Sequence, residues 1–276
     1  MNTNSHYSET IRTEDTVDRS ISKVATKDVF ALHSLGLDRN CWKGLADAVG
    51  TDWKIHGHDQ RGHGKAAEYP PEDFSDFIAD ARAGMQRLNT HEVHLMGHSL
   101  GGAVAASLAA TTHYPNIASL TLLATPFEGS PKFSERARAS LVGSMQIASG
   151  ETLARWFGND THSPAYQLAA DCLSRMNPAS YDASWVALGQ FPGYNRLHGL
   201  LPNTLIISFG DDQSTPPDVG EKIHTTLQNR GIKSRHLVLE GHGHMGLLTA
   251  TDELSSHLTT HWDFCCPEPT SRKSKS

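Results

Sequence analysis

From about residue 28 onward, apolar residues follow two alternating patterns. Short runs, DVFALH (28–33), WKIH (53–56), EVHLM (92–96), IASLTLLA (117–124), TLIIS (204–208) and HLVL (236–239), have the length and branched content of buried strands. Between them lie segments whose apolar positions recur three and four apart. FIADARAGMQRL (77–88) aligns Phe77, Ile78, Ala81 and Met85 on one face, with Ser75 or Asp76 as the expected N-cap. Asp38 is placed to cap RNCWKGLADAVG (39–50), which stops at Gly50. Further helices are expected at 100–113 and 218–231. Strand and helix in alternation predict an α/β fold, a mostly parallel sheet with helices on both faces.

The alternation breaks at 127–200, where FSERARASLVGSM, ETLARWF, AYQLAADCLSRM and YDASWVALGQF are helical in pattern and no strand is evident. An insertion of helices after the end of a strand predicts a cap over the edge where open α/β sheets bind ligands. The expected division is a polar N-terminal extension (1–25), a core formed by 26–126 and 200–263, a helical cap at 127–199, and a disordered tail at 264–276. The tail, rich in Pro, Ser and Lys, is too polar to pack.

Gly97-His98-Ser99-Leu100-Gly101 fits G-x-S-x-G. The match alone is weak, but its context is that of a nucleophile elbow: EVHLM enters as a strand and AVAASLAA leaves as a helix. So sharp a turn also needs small residues two positions either side of the serine, and Gly97 and Gly101 stand there. Ser99 is the candidate nucleophile.

A serine needs a base and an orienting acid, expected in loops after later strands in the order Ser, acid, His. The strand at 204–208 runs into Asp211-Asp212, and that at 236–239 into Gly241-His242-Gly243-His244. Asp212 is favoured over Asp211, as it lies three residues before the Thr215-Pro216 turn, and His244 over His242, as a helix pattern follows closely. Glu128, after the 117–124 strand, is the weaker place for the acid. For the developing oxyanion, backbone N–H groups are expected from Leu100 and from Leu35, with Ser34 as runner-up. His33 reads as a turn-shaping residue.

Together these residues resemble the α/β-hydrolase superfamily, and within it the 3-oxoadipate enol-lactonase-like group. The similarity rests on H-S-L-G-L-D-R-N-C-W (33–42), D-Q-R-G-H-G (59–64), G-H-S-L-G-G (97–102), the T-P-P acid loop (212–217) and G-H at 243–244, and extends to ARWF (154–157) and M-N-P-A-S-Y (176–181). It covers residues 28–262. The resemblance implies a helical cap inserted after the sixth strand, although the superfamily's N-terminal strand pair is not evident in 1–27. It also implies carboxylate-bearing substrates, so cationic groups are expected under the cap, with Arg136, Arg138, Arg155 and Arg175 as candidates. Trp156, Phe127 and Arg155 are the expected substrate contacts.

Composition narrows the field further. Of 276 residues, 38% are hydrophobic and the net charge is -6, enough for a sizeable core and no attraction for nucleic acid or an anionic membrane. No apolar run reaches membrane-spanning length and the first twenty residues lack a signal-peptide core, so a cytoplasmic protein is expected. Cys41, Cys172 and the adjacent Cys265-Cys266 read as reduced thiols. His56-Gly57-His58-Asp59 has the wrong spacing for a metal, and Gly57, Gly62 and Gly64 do not form G-x-G-x-x-G. No metal or cofactor is expected. The sequence predicts a serine-triad hydrolase cleaving an ester or lactone of a small-molecule substrate through an acyl-enzyme, with a homo-oligomer left open. Two alternatives remain: C–C or thioester hydrolysis, or a non-hydrolytic cyclisation or elimination, in the same pocket, and a non-catalytic ligand receptor of the same fold.

Overall fold

The computed structural model describes residues 27–111, 117–137, 145–199 and 201–266. Six strands form one sheet: β1 (Lys27–Leu32), β2 (Trp53–His58), β3 (Val93–His98), β4 (Ile117–Leu123), β5 (Thr204–Phe209) and β6 (Ser234–Leu239). Their order is β2-β1-β3-β4-β5-β6, and every pairing is parallel. The helices are α1 (Lys43–Ala48), α2 (Phe74–Gln86), α3 (Leu100–Thr111), α4 (Pro131–Arg136), α5 (Met145–Phe157), α6 (Pro164–Ser174), α7 (Pro178–Gly189), α8 (Pro217–Asn229), α9 (Gly246–Thr249) and α10 (Thr251–Cys265).

Connections leave β1 in opposite directions, first outward to β2 and then across to β3. Loops after β1 and β3 therefore diverge and open a crevice at the carboxyl edge of the sheet. That crevice is where Ser34, Leu35 and Ser99 fall. β3 is buried along its whole length, as its unbroken apolar run requires. α3 is buried from Leu100 to Ala109 and apolar on every side, so it packs as a core helix against β3, β4 and α2. On the other face α10 packs against α1 and β4. Its Trp262 donates from Nε1 to Thr121 Oγ1 at 3.3 Å and lies 4.8 Å from the Trp53 ring.

Several boundaries differ from expectation for local reasons. α2 begins at Phe74, capped by Asp73 rather than Ser75 or Asp76. The Asp73 carboxylate accepts from Ser75 N, and Asp76 reaches back to close a capping box. Residues 39–50 form a 3-10 turn (Arg39–Trp42) before α1, because the Asp38 carboxylate accepts from Asn40 N at 2.9 Å and tightens the first turn. α10 continues to Cys265, so the first residues of the expected tail are helical. The N-terminal extension, the tail from residue 267, and residues 112–113 of the expected 100–113 helix lie outside the described residues.

Between β4 and β5 the described residues hold only helices, with α4 packed on α7 and α5 on α6. Among the described residues this insertion follows the fourth strand. A count of six requires an N-terminal strand pair that those residues do not contain.

Candidate active site

The turn from β3 into α3 is steeply strained. Ser99 holds φ at +53°, a conformation uncommon for a residue with a side chain. Its own N–H donates to Leu123 O at 2.9 Å, and its carbonyl accepts from Gly102 N and Ala103 N, so backbone bonds on both sides hold the apex. The flanking glycines are required by space. A Cβ on Gly97 would lie 2.2 Å from Gly101 O, and one on Gly101 would lie 2.1 Å from Leu32 O. Strand, helix and β1 could not approach this closely with any larger residue.

Asp212 and His244 meet at the ends of β5 and β6. His244 Nδ1 donates to Asp212 Oδ2 at 2.7 Å, and both side chains are buried. Asp212 also accepts from Ser214 N (2.7 Å) and Thr215 N (3.0 Å). The Thr215 hydroxyl lies 2.7 Å from Asp212 Oδ2 and 2.9 Å from Ala124 O. One hydroxyl proton serves one acceptor, and the charged carboxylate is the stronger. Burial works against the Asp212 carboxylate, but the His244 ring and the Thr215 bonds outweigh it and hold its pKa below the ordinary range. The acid is therefore ionised at neutral pH. With Nδ1–H committed to Asp212, the His244 lone pair sits on Nε2.

Ser99 and His244 line one cavity with Ser34, Leu35, Pro126, Ser214, Thr215 and, from the inserted helices, Phe133, Arg136, Trp156, Trp185 and Leu188. Its volume is about 20 Å³. Among the described residues the N–H groups of Leu35 and Leu100 donate to nothing. The Leu100 N–H is one of the orphan donors of the α3 N-terminus. His33 shapes its turn as expected: Nδ1 donates to Ser34 O (2.8 Å), Nε2 accepts from Gln60 N (3.0 Å), and the Gln60 amide donates to His33 O (2.6 Å). Burial pushes the His33 pKa down to about 4, so the ring is neutral and both nitrogens are occupied.

The alternatives sit elsewhere. Asp211 is exposed, and His242 bonds Thr249 Oγ1 at 3.0 Å; both line a separate groove of about 330 Å³. Glu128 is exposed. Two expected substrate contacts also fall away from the cavity. Phe127 packs 5.9 Å from the Tyr194 ring, under Lys222 Nζ, and does not line the cavity. Arg155 lines the outer groove and donates to Thr152 Oγ1 at 3.0 Å. Trp156 does line the cavity, its ring 6.2 Å from His244. Among the described cap arginines only Arg136 reaches the wall; its guanidinium lies 5.0 Å from the Trp185 ring and 5.5 Å from that of Phe133. Arg175 is paired with Asp38 at 3.2 Å, and Arg138 lies outside the described residues. A larger cavity of about 540 Å³ beside Asp38 and Arg175 does not include Ser99.

Sequence reasoning passed over two contributors. Thr215 was visible only as part of a turn. His98, inside the G-x-S-x-G pentapeptide, has its Nε2 2.9 Å from His244 O and its ring 5.2 Å from the His244 ring. Burial, then the His244 charge, push its pKa down to about 3, so it stays neutral and supports the His244 loop as a hydrogen-bond donor. The only advance signal was a polar residue inside an apolar strand.

A parallel sheet of this order, with a strand–serine–helix turn at its crevice, defines the α/β-hydrolase fold. Residues 29–256 match the alpha/beta hydrolase family, and the chain belongs to it. A pimeloyl-[acyl-carrier protein] methyl ester esterase of Neisseria meningitidis serogroup A is 25% identical over 260 residues, covering 90% of this chain and 80% of its own length. Among solved structures, the enol-lactonase from Burkholderia xenovorans has a TM-score of 0.76 at 22% identity, covering 85% of this chain and 90% of its own. A thermophilic esterase from Thermogutta terrifontis has a TM-score of 0.76 at 21% identity, covering 87% and 90%.

Proposed function

We propose that the protein is a serine hydrolase that cleaves an ester or lactone through an acyl-enzyme on Ser99. The observation that carries this reading is the strained Ser99 sharing one small cavity with His244, whose Nδ1 is 2.7 Å from the buried Asp212 carboxylate. In this mechanism His244 Nε2 accepts the Ser99 hydroxyl proton as Oγ attacks the carbonyl carbon. The oxyanion is received by the N–H groups of Leu35 and Leu100. Asp212 fixes the ring tautomer and stabilises the imidazolium. The same proton passes to the leaving alkoxide, which departs as the alcohol from an ester and stays attached to the acyl group from a lactone, and His244 then activates water to release the acid. The esterase and enol-lactonase names of similar proteins agree with this reaction class.

The substrate end of the reading follows from Arg136. This half-buried cation has no carboxylate partner among the described residues, and it faces the cavity that holds Ser99. An ester whose acyl or alcohol part carries an anionic group fits it best. A cavity of about 20 Å³ holds one water and not an ester, so α4, α5 or α7 must shift to admit the substrate. Division into a core and a cap at 127–199 follows from the same premise. A panel of p-nitrophenyl esters and lactones, with and without a distal carboxylate, tests both parts. Turnover in wild type that vanishes in Ser99→Ala supports the reaction. Equal rates in the two proteins across the panel overturn it, and equal selectivity in Arg136→Met overturns only the anion preference.

A further inference from the structure

At the amino edge of the sheet, opposite Ser99, three ligand-type side chains converge from distant parts of the chain. Glu92 immediately precedes β3, His94 is the second residue of that strand, and Cys266 immediately follows α10, 172 residues beyond His94. One potential ligand atom from each lies within 4.8 Å of the others. His94 Nε2 and Cys266 Sγ are 3.7 Å apart. Zinc–nitrogen and zinc–sulfur bonds meeting at a tetrahedral angle place their donor atoms about 3.6 Å apart.

The histidine is pre-set for ligation. Its Nδ1 lies 2.8 Å from Ser119 Oγ, and with that hydroxyl accepting Nδ1–H the lone pair stays on Nε2. The ring stands edge-on to Trp53, with centroids 5.1 Å apart, and leans on Trp262 at 6.2 Å, so its plane is fixed by packing. The Glu92 carboxylate has no hydrogen bond or ion pair among the described residues. Burial raises the Cys266 thiol pKa, and the neighbouring Lys27 ammonium, itself paired with Asp263, works against that rise. In the sequence the adjacent Cys265-Cys266 pair has no second pair and so no zinc spacing, and the His56 to Asp59 pattern lies elsewhere: His56 is bonded to Asp28 at 2.6 Å.

We propose that Glu92, His94 and Cys266 bind one divalent transition-metal ion of the zinc type, with water in the fourth position. Carboxylate, imidazole and thiolate together suit zinc rather than calcium or magnesium. Binding displaces the Cys266 thiol proton to solvent and ties the end of α10 to the start of β3. The site is independent of the Ser99 reaction.

The test uses the full chain, stripped with a chelator and titrated with Co²⁺. The expected result is a thiolate-to-cobalt absorption that saturates at one equivalent per chain and is abolished by Zn²⁺. Cys266→Ser should lose the band while Cys265→Ser keeps it, and Glu92→Gln should weaken Co²⁺ binding by roughly 10- to 100-fold. Unfolding midpoints of the metal-free variants show that each remains folded. No thiolate band in wild type, or a band that persists at full strength in Cys266→Ser, overturns the assignment.

Discussion

At the carboxyl edge of the sheet, Ser99 and Ala124 hold φ at +53° and +43°, and Asp212, His244, His98, His33 and His63 are all buried. At the amino edge, Trp53, His94 and Trp262 stack with centroids 4.8 to 6.2 Å apart, and the backbone there is relaxed apart from the turn at Asn89. One edge stores backbone strain, and the other is closed by aromatic packing around a buried histidine. The comparison teaches that the same parallel strands fix buried ionisable groups in two ways, by backbone strain and hydrogen bonds around Ser99 and by aromatic packing around His94.

The largest expected effect separates function from stability at the carboxyl edge. Asp212→Asn should lower kcat/KM on a cleaved ester by roughly 10⁴-fold, since the amide would favour the wrong His244 tautomer. Asp211→Asn, one residue away and exposed, should change it less than about twofold. Steady-state kinetics on both variants decide this, and equal losses would remove the distinction between the neighbours.

Trp262→Ala should act in the opposite sense. Its fully buried indole spans Trp53 and Thr121, so its loss should cost about 3–5 kcal/mol of unfolding free energy while leaving kcat of the folded fraction near wild type. Urea denaturation with parallel assays measures both. Thr215→Val should cost about tenfold in kcat, because Asp212 loses its hydroxyl donor but keeps two backbone bonds.

The strands, the elbow and the two loops were legible because each is written locally: an apolar run, two glycines around a serine, an acid and a histidine just past a strand. What was not legible depends on contacts across the chain. His98 reaches a carbonyl 146 residues away, and Cys266 meets His94 across 172. The helix-start signals before α2 were ambiguous because Asp73, Ser75 and Asp76 all carry capping oxygens, and only backbone geometry chose Asp73. Arg155 missed the cavity because tertiary packing, not local pattern, sets which face of an inserted helix turns inward, and Phe127 because it lies in the loop before α4, whose course no local pattern writes.

Residue for residue, the smallest expected effect is a dependence of stability on pH. Burial lowers the pKa of His33 to about 4 and those of His63 and His98 to about 3. As pH falls below about 6.5 the unfolded chain takes up protons that these folded rings refuse, so stability is full above that value and is lost toward pH 4. Each ring contributes about 1 kcal/mol to the loss at pH 5.5. Urea midpoints at pH 7.0 and 5.5 should show it, with a shallower fall in His98→Gln.

The central claim, that the strained serine is the nucleophile, is tested most directly by covalent labelling with a serine-directed phosphonate followed by peptide mass spectrometry. A single adduct on Ser99 in the wild-type protein, absent in Ser99→Ala and strongly slowed in Asp212→Asn, is the predicted result. An adduct on any other residue, or labelling that proceeds equally in Ser99→Ala, would contradict it.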